Sequence, residues 1–187
     1  RVTIDDVLNK FEGKHVNEPG NHNTLSNFDR VTQGCTGTGG HVGPPWFDGL
    51  IYESIRGIAD YLILYPDKNL EARVDDYINR IAAAQATDPN GYINTYTTLD
   101  EPEHRWGENG GFLRWQHEVY NSGMLIEASV HYYLATGKTK LLSVATRLTN
   151  YMCEYMGEQP KKNIVPSHSG PEEAIIKLYW LDKQHPS

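Results

Sequence analysis

The stretch "RWQHEVYNSGMLIEASVHYY", from Arg114 to Tyr133, places His117, Asn121, Met124 and His131 on one stripe of a segment with the apolar spacing of a buried helix. Imidazoles on such a stripe can ligate a metal, hydrogen-bond a hydroxylated ligand, or be satisfied inside a helix–helix contact. The zinc motif H-E-x-x-H needs a second imidazole one turn after the first, and Asn121 stands where it would be. A buried run of His, Tyr and Asn must find hydrogen-bond partners. A polyol lying against the stripe would supply them, and so would a neighbouring helix. His117 is the candidate for ligand contact; the surroundings of His131 read as ordinary core.

A second imidazole, His168 in "IVPSHSGPEEAIIKLYWL", stands just ahead of a helix that Pro171 opens at its first position. Helix N-termini present free amides, and binding sites gather there; the other reading is a surface histidine in a capping loop. Glu172 and Glu173 suit the helix dipole better than a catalytic role. Glycoside hydrolysis uses two carboxyl groups across one bond. Asp48, Glu53 and Asp60 lie on the first long helix, but their spacing assigns no such pair, and structural roles account for them.

These residues need elements to hold them. Thr3, Asp5 and Asp6 start a short helix that Gly13 stops. Residues 15–45, with the run "GCTGTGGHVGPP", read as one long irregular segment. Helical spacing then dominates 46–181, in pairs: Trp46–Tyr65 with Leu70–Gln85, and Arg114–Thr136 with Lys138–Met156. Short turns within each pair make antiparallel hairpins. "GYINTYTTL" breaks the period and predicts a short extended piece near 92–98. The final helix, Pro171 to about Leu181, resembles the first half of a third pair. The fold class is therefore all-α, an array of helical hairpins forming an open solenoid or a closed toroid.

Composition narrows the partners. The 187 residues carry a net charge of −7, and the basic residues form no stripe, which argues against nucleic acid. No apolar run reaches the roughly 18 residues of a membrane span. A neutral solute is the partner these features favour. Cys35 and Cys153, far apart and outside any metal motif, allow one disulfide or two free thiols.

Six segments, in order along the chain, carry a family resemblance: "VTIDDVLNKFEG", "WFDGLIYESIRGIADYL", "LEARVDDYINRIAAAQ" with "GYINTYTTL", "PEHRW", "HEVYNSGMLIEASVHYYLATGKTKLL" and "VPSHSGPEEAIIKLY". The chain resembles the N-terminal part of the catalytic domain of glycoside hydrolase family 127, the β-L-arabinofuranosidase family of six-hairpin (α/α)6 toroids. The resemblance implies that residues 1–187 are part of one such domain, with the barrel incomplete. It implies that His117 and His168 contact the sugar at the base of its pocket, with Asp48 and Tyr96 as further substrate-contact candidates. The whole enzyme is then expected to cleave arabinofuranosides or related plant-derived sugars with retention. Its cysteine nucleophile, held by zinc, and its glutamate acid/base belong to motifs later than these segments. Cys35 and Cys153 do not align with those motifs, so the chain itself is expected to hold no catalytic residue and no metal.

A periplasmic or secreted location follows from such a substrate, and an exposed apolar edge on the last hairpin would favour homo-oligomers. The alternatives are a six-hairpin hydrolase that uses two carboxyl groups, and a non-catalytic module that binds sugars or proteins.

Overall fold

Helix starts are set by short side chains. Thr3 accepts the Asp6 amide at 3.2 Å while Asp6 accepts the Thr3 amide at 2.8 Å, a reciprocal cap that begins α1 (Ile4–Phe11). Asp67 accepts from the amides of Asn69 and Leu70 and so begins α4 (Lys68–Ala86). A computed structural model of the chain describes residues 2–14, 23–166 and 168–184. The remaining elements are α2 (Leu25–Thr32), α3 (Phe47–Leu64), α5 (Thr95–Asp100), α6 (Leu113–Gln116), α7 (Glu118–Thr136), α8 (Lys140–Tyr155) and α9 (Pro171–Gln184). A kinked 3-10 segment, Pro102–Gly110, joins α5 to α6. There is no β-strand among the described residues, so the all-α reading holds.

Three local expectations are corrected. Within 15–45, where glycine content reads as irregular, Leu25, Phe28 and Val31 are buried at helical spacing and form α2 against α4; residues 15–22 lie outside the described part. The extended piece near 92–98 stops at Asn94, whose φ is −158°. Thr95 onward is helical because Asn94 Oδ1 accepts the Thr97 amide at 3.0 Å and Asp48 Oδ2 accepts the Thr95 amide at 2.7 Å. Two N–H groups of the first turn are thereby satisfied, and this outweighs the β-preference of a Thr- and Tyr-rich run. Finally, the helix expected from Arg114 is broken at His117, whose φ of 53° is left-handed; α6 ends before it and α7 begins after it.

The first helices of the successive hairpins, α3, α7 and α9, pack side by side. They run in parallel, as their cross-contacts show. Gly49 and Asp60 of α3 meet Asn121 and His131 of α7, while Gly123 and Glu127 of α7 meet Pro171 and Lys177 of α9. The second helices, α4 and α8, form the adjoining layer and pack on each other. Since α7 touches α3, α8 and α9, it is buried on nearly every side, which accounts for its lack of a polar face. His131 bonds Asp60 at 2.6 Å across the α3–α7 contact.

The chief core runs from Leu8 and Phe28 through Ile55, Ile81 and Leu99 to Leu125 and Leu148. A smaller cluster of Ile126, Val130, Ala174 and Leu178 fixes α9 on α7. On the far side of α9, Ile176, Tyr179 and Trp180 are exposed. Cys35 and Cys153 are both free thiols. No helix among the described residues is long and apolar enough to cross a membrane.

Candidate functional site

Because α3, α7 and α9 are parallel neighbours, their N-terminal ends converge. Each brings an aromatic or imidazole ring ahead of its first turn: Trp46, His117 and His168. The two histidine rings lie 5.4 Å apart between centroids, tilted by 31°. Trp46 stands 5.1 Å from His117 on one side, and Tyr120 closes the other at 5.2 Å from His168. His117 Nδ1 and the Trp115 carbonyl are 2.7 Å apart, so a neutral imidazole keeps its proton there and leaves Nε2 as an acceptor. The Tyr120 hydroxyl points at Glu53 at 3.4 Å.

Two glycines permit this convergence. A Cβ on Gly123 would stand 3.0 Å from the Pro171 nitrogen and 3.1 Å from its Cα, so its absence lets α9, and His168 with it, approach α7. A Cβ on Gly49 would meet the Tyr120 ring at 2.7 Å and Asn121 Oδ1 at 2.8 Å. Asn121 itself is structural. Its Oδ1 accepts the Gly49 amide at 3.1 Å and its Nδ2 donates to the Pro45 carbonyl at 2.9 Å. It caps from α7 a helix, α3, whose own N-cap residue, Trp46, supplies no side-chain bond.

Tyr96 sits at the rim. Its hydroxyl accepts from Trp115 Nε1 at 3.2 Å and donates to Glu101 at 3.0 Å, while its ring meets His41 edge-on at 5.4 Å. Asp48 is placed differently from the contact role expected of it. It is fully buried, and its carboxylate is occupied by the Thr95 amide and, at 2.6 Å, the Thr95 hydroxyl. Burial pushes the Asp48 carboxyl above its ordinary value, and His41 and the Thr95 bonds act against that rise. Thr95 Oγ1 also lies 3.0 Å from His41 Nε2, whose Nδ1 faces the Gly43 carbonyl at 2.8 Å. The Thr95 hydroxyl donates to Asp48 and lies within hydrogen-bond reach of His41, so it links the two side chains. Asp48 thus holds α5, and Tyr96 on it, against α3.

Glu118, next to His117, is a second fully buried acid near the site. It accepts from the Tyr92 hydroxyl and, at 2.9 Å, from the Trp106 amide, while its second oxygen has no partner among the described residues. Burial pushes its carboxyl up to about 7, against the hydrogen bonds of Tyr92 and Trp106. The bond to Trp106, itself at a left-handed φ of 54°, anchors the kinked segment to the start of α7.

The sequence analysis singled out neither Trp46 nor Tyr120 as a site residue. An aromatic residue between "GPP" and a helix start marked the first, and its position one turn after His117 marked the second. The described residues contain no group of three His, Cys, Asp or Glu arranged to hold a metal. The site they form offers imidazoles and aromatic rings, which suit a hydroxylated ring. A separate cavity of about 90 Å³, lined among others by Thr87, Asn94 and Arg105, includes neither histidine.

The family model for the catalytic domain of glycoside hydrolase family 127, described as β-L-arabinofuranosidase, matches residues 1–184. The chain belongs to glycoside hydrolase family 127. A non-reducing end β-L-arabinofuranosidase of Bifidobacterium longum subsp. longum is 31% identical over 135 residues, which cover 71% of this chain and 20% of that protein. A family 127 β-L-arabinofuranosidase from Geobacillus stearothermophilus T6 superposes with a TM-score of 0.84 at 31% identity, covering 96% of this chain and 27% of its own. A second family 127 structure, a β-arabinofuranosidase, gives 0.83 at 31% identity, with 98% and 28% covered. The chain thus spans between a fifth and just over a quarter of the length of these three proteins. Its helical hairpins are part of the (α/α)6 toroid expected for the family.

Proposed function

We propose that these residues form one wall of the sugar pocket of a glycoside hydrolase that releases β-L-arabinofuranose, or a closely related sugar, from the non-reducing end of its substrate. The observation that carries this reading is the meeting of His117 and His168, 5.4 Å apart, at the adjoining N-terminal ends of α7 and α9. Nε2 of a neutral His117 can accept from a sugar hydroxyl, His168 is exposed beside it, and Trp46 offers a flat apolar side. That combination of a few polar groups and an aromatic wall is how small-molecule pockets fix orientation. Tyr96 belongs to the rim of the same pocket. Asp48 acts on it from beneath, through Thr95.

The retaining chemistry, the zinc, the cysteine nucleophile and the glutamate acid/base belong in this proposal to parts of the enzyme outside these residues. A periplasmic or secreted site of action follows from a plant-derived substrate. Family membership favours this reading over a binding module that turns nothing over.

The test is made on the whole enzyme, with arabinofuranosides as substrates. His117→Ala and His168→Ala should each lower kcat/KM by at least about tenfold, since each removes one hydrogen-bonding group from a bound sugar. Calorimetry on the same variants should show weakened binding of free L-arabinose. If both retain wild-type kcat/KM, the pair is not the pocket. Tight sugar binding with no turnover by the wild type would favour the binding module instead.

A further inference from the structure

The pocket accounts for Trp46 and leaves its neighbour Trp115 unexplained. Trp115 is 47% exposed, although hydrophobic burial favours covering an indole ring. It is nevertheless held firmly. Its Nε1–H donates to the Tyr96 hydroxyl at 3.2 Å, and that hydroxyl is fixed in turn by Glu101 at 3.0 Å. Its ring meets Trp46 at 5.9 Å and 87°, edge to face. Its carbonyl lies 2.7 Å from His117 Nδ1. An exposed ring whose nitrogen is satisfied and whose orientation is locked has little freedom left to lose when a ligand covers it.

We propose that Trp115 is the stacking platform of a second subsite, which takes the sugar residue on the leaving-group side of the scissile bond. This inference rests on the reading of His117 and His168 as the pocket for the terminal sugar. Trp46 touches both His117, at 5.1 Å, and Trp115, at 5.9 Å, so the platform is one ring away from the pocket. That matches the step from one sugar residue to the next in an oligosaccharide. The chemistry suits the role, because a furanose or pyranose ring has an apolar C–H face that packs on the electron-rich face of an indole. The ligand class is a disaccharide or longer glycan carrying a terminal arabinofuranose, in preference to an arabinofuranoside of a small alcohol.

The experiment compares Trp115→Ala and Trp115→Phe with the wild-type whole enzyme on two substrates. One is a disaccharide with a terminal β-L-arabinofuranose and the other is methyl β-L-arabinofuranoside, which has no second sugar. Trp115→Ala should lose about tenfold more kcat/KM on the disaccharide than on the methyl glycoside, with the extra loss in KM. Trp115→Phe, which keeps an aromatic face, should recover most of the difference. Equal losses on both substrates would overturn the proposal while leaving the pocket intact, since Trp115 would then act only by supporting His117. A wild-type enzyme that neither binds nor cleaves either compound would overturn the pocket and, with it, the platform.

Discussion

Asn121 of α7 holds the first turn of α3: its Oδ1 accepts the Gly49 amide at 3.1 Å and its Nδ2 donates to the Pro45 carbonyl at 2.9 Å. Both bonds are buried. Asn121→Ala should leave the Gly49 amide and the Pro45 carbonyl unsatisfied and cost about 1–3 kcal/mol. Asn121→Asp should also destabilise, because it sets a carboxylate oxygen against the Pro45 carbonyl. Denaturant unfolding of the three proteins checks this, and an alanine variant as stable as the wild type would remove Asn121 from its capping role.

Gly123 sets how closely α9 approaches α7, because an added Cβ would stand 3.0 Å from Pro171. Gly123→Ala should cost about 1–3 kcal/mol of overpacking and displace His168 from His117. In whole-enzyme kinetics it should raise KM. In a His168→Ala background that rise should vanish, since the residue being displaced is already gone. A full effect in both backgrounds would place the damage elsewhere.

The Glu118 carboxyl, pushed by burial up to about 7 from 4.5, binds its proton more tightly in the folded protein than in the unfolded chain. The stability it contributes is therefore fully present below about pH 4.5 and is lost as pH rises through 7. Glu118→Gln keeps an oxygen for Tyr92 and the Trp106 amide and carries no charge. It should flatten the change in Tm between pH 4.5 and 8, and match or exceed the wild type at pH 8. Parallel pH curves for the two proteins would show that Glu118 ionises normally.

Thr95 joins Asp48 to His41 through one hydroxyl, at 2.6 Å and 3.0 Å. Thr95→Val should strip a buried carboxyl of one partner and cost about 1–3 kcal/mol. Thr95→Ser, which restores the hydroxyl, should return most of that stability. Should Val and Ser behave alike in urea unfolding, the hydroxyl bridge carries no stability.

Much of the molecule was legible in the chain itself. Long helices announce themselves by period, and the spacing of Ile51, Ile55, Ile58 and Leu62, or of Val74, Ile78 and Ile81, places their buried faces before any contact is known. The cap at Thr3 was legible for the same reason: its partner Asp6 lies within one turn. The matched segments gave the family, which the comparisons then showed, and named His117 and His168 as residues that belong together.

Elements that depend on distant partners were not legible. Thr95 to Thr98 are helical because Asp48, far away in the chain, accepts the Thr95 amide. Asp48 and Asn121 are polar residues on site-forming helices, and sequence alone could not tell a ligand contact from a cap. Asn121 turns inward at the contact of α3 with α7, and Asp48 turns inward toward Thr95 of α5.

By itself, then, the sequence determined the long helices, which faces they bury and which residue types could meet a sugar. The tertiary structure alone decided that α3, α7 and α9 lie parallel with their N-terminal ends together, and that Gly49 and Gly123 let them come close enough for Trp46, His117, Tyr120 and His168 to touch. The physical reason is range. Helix formation is governed by neighbours within a turn, whereas a pocket is made by residues that only the packing of separate helices brings into contact.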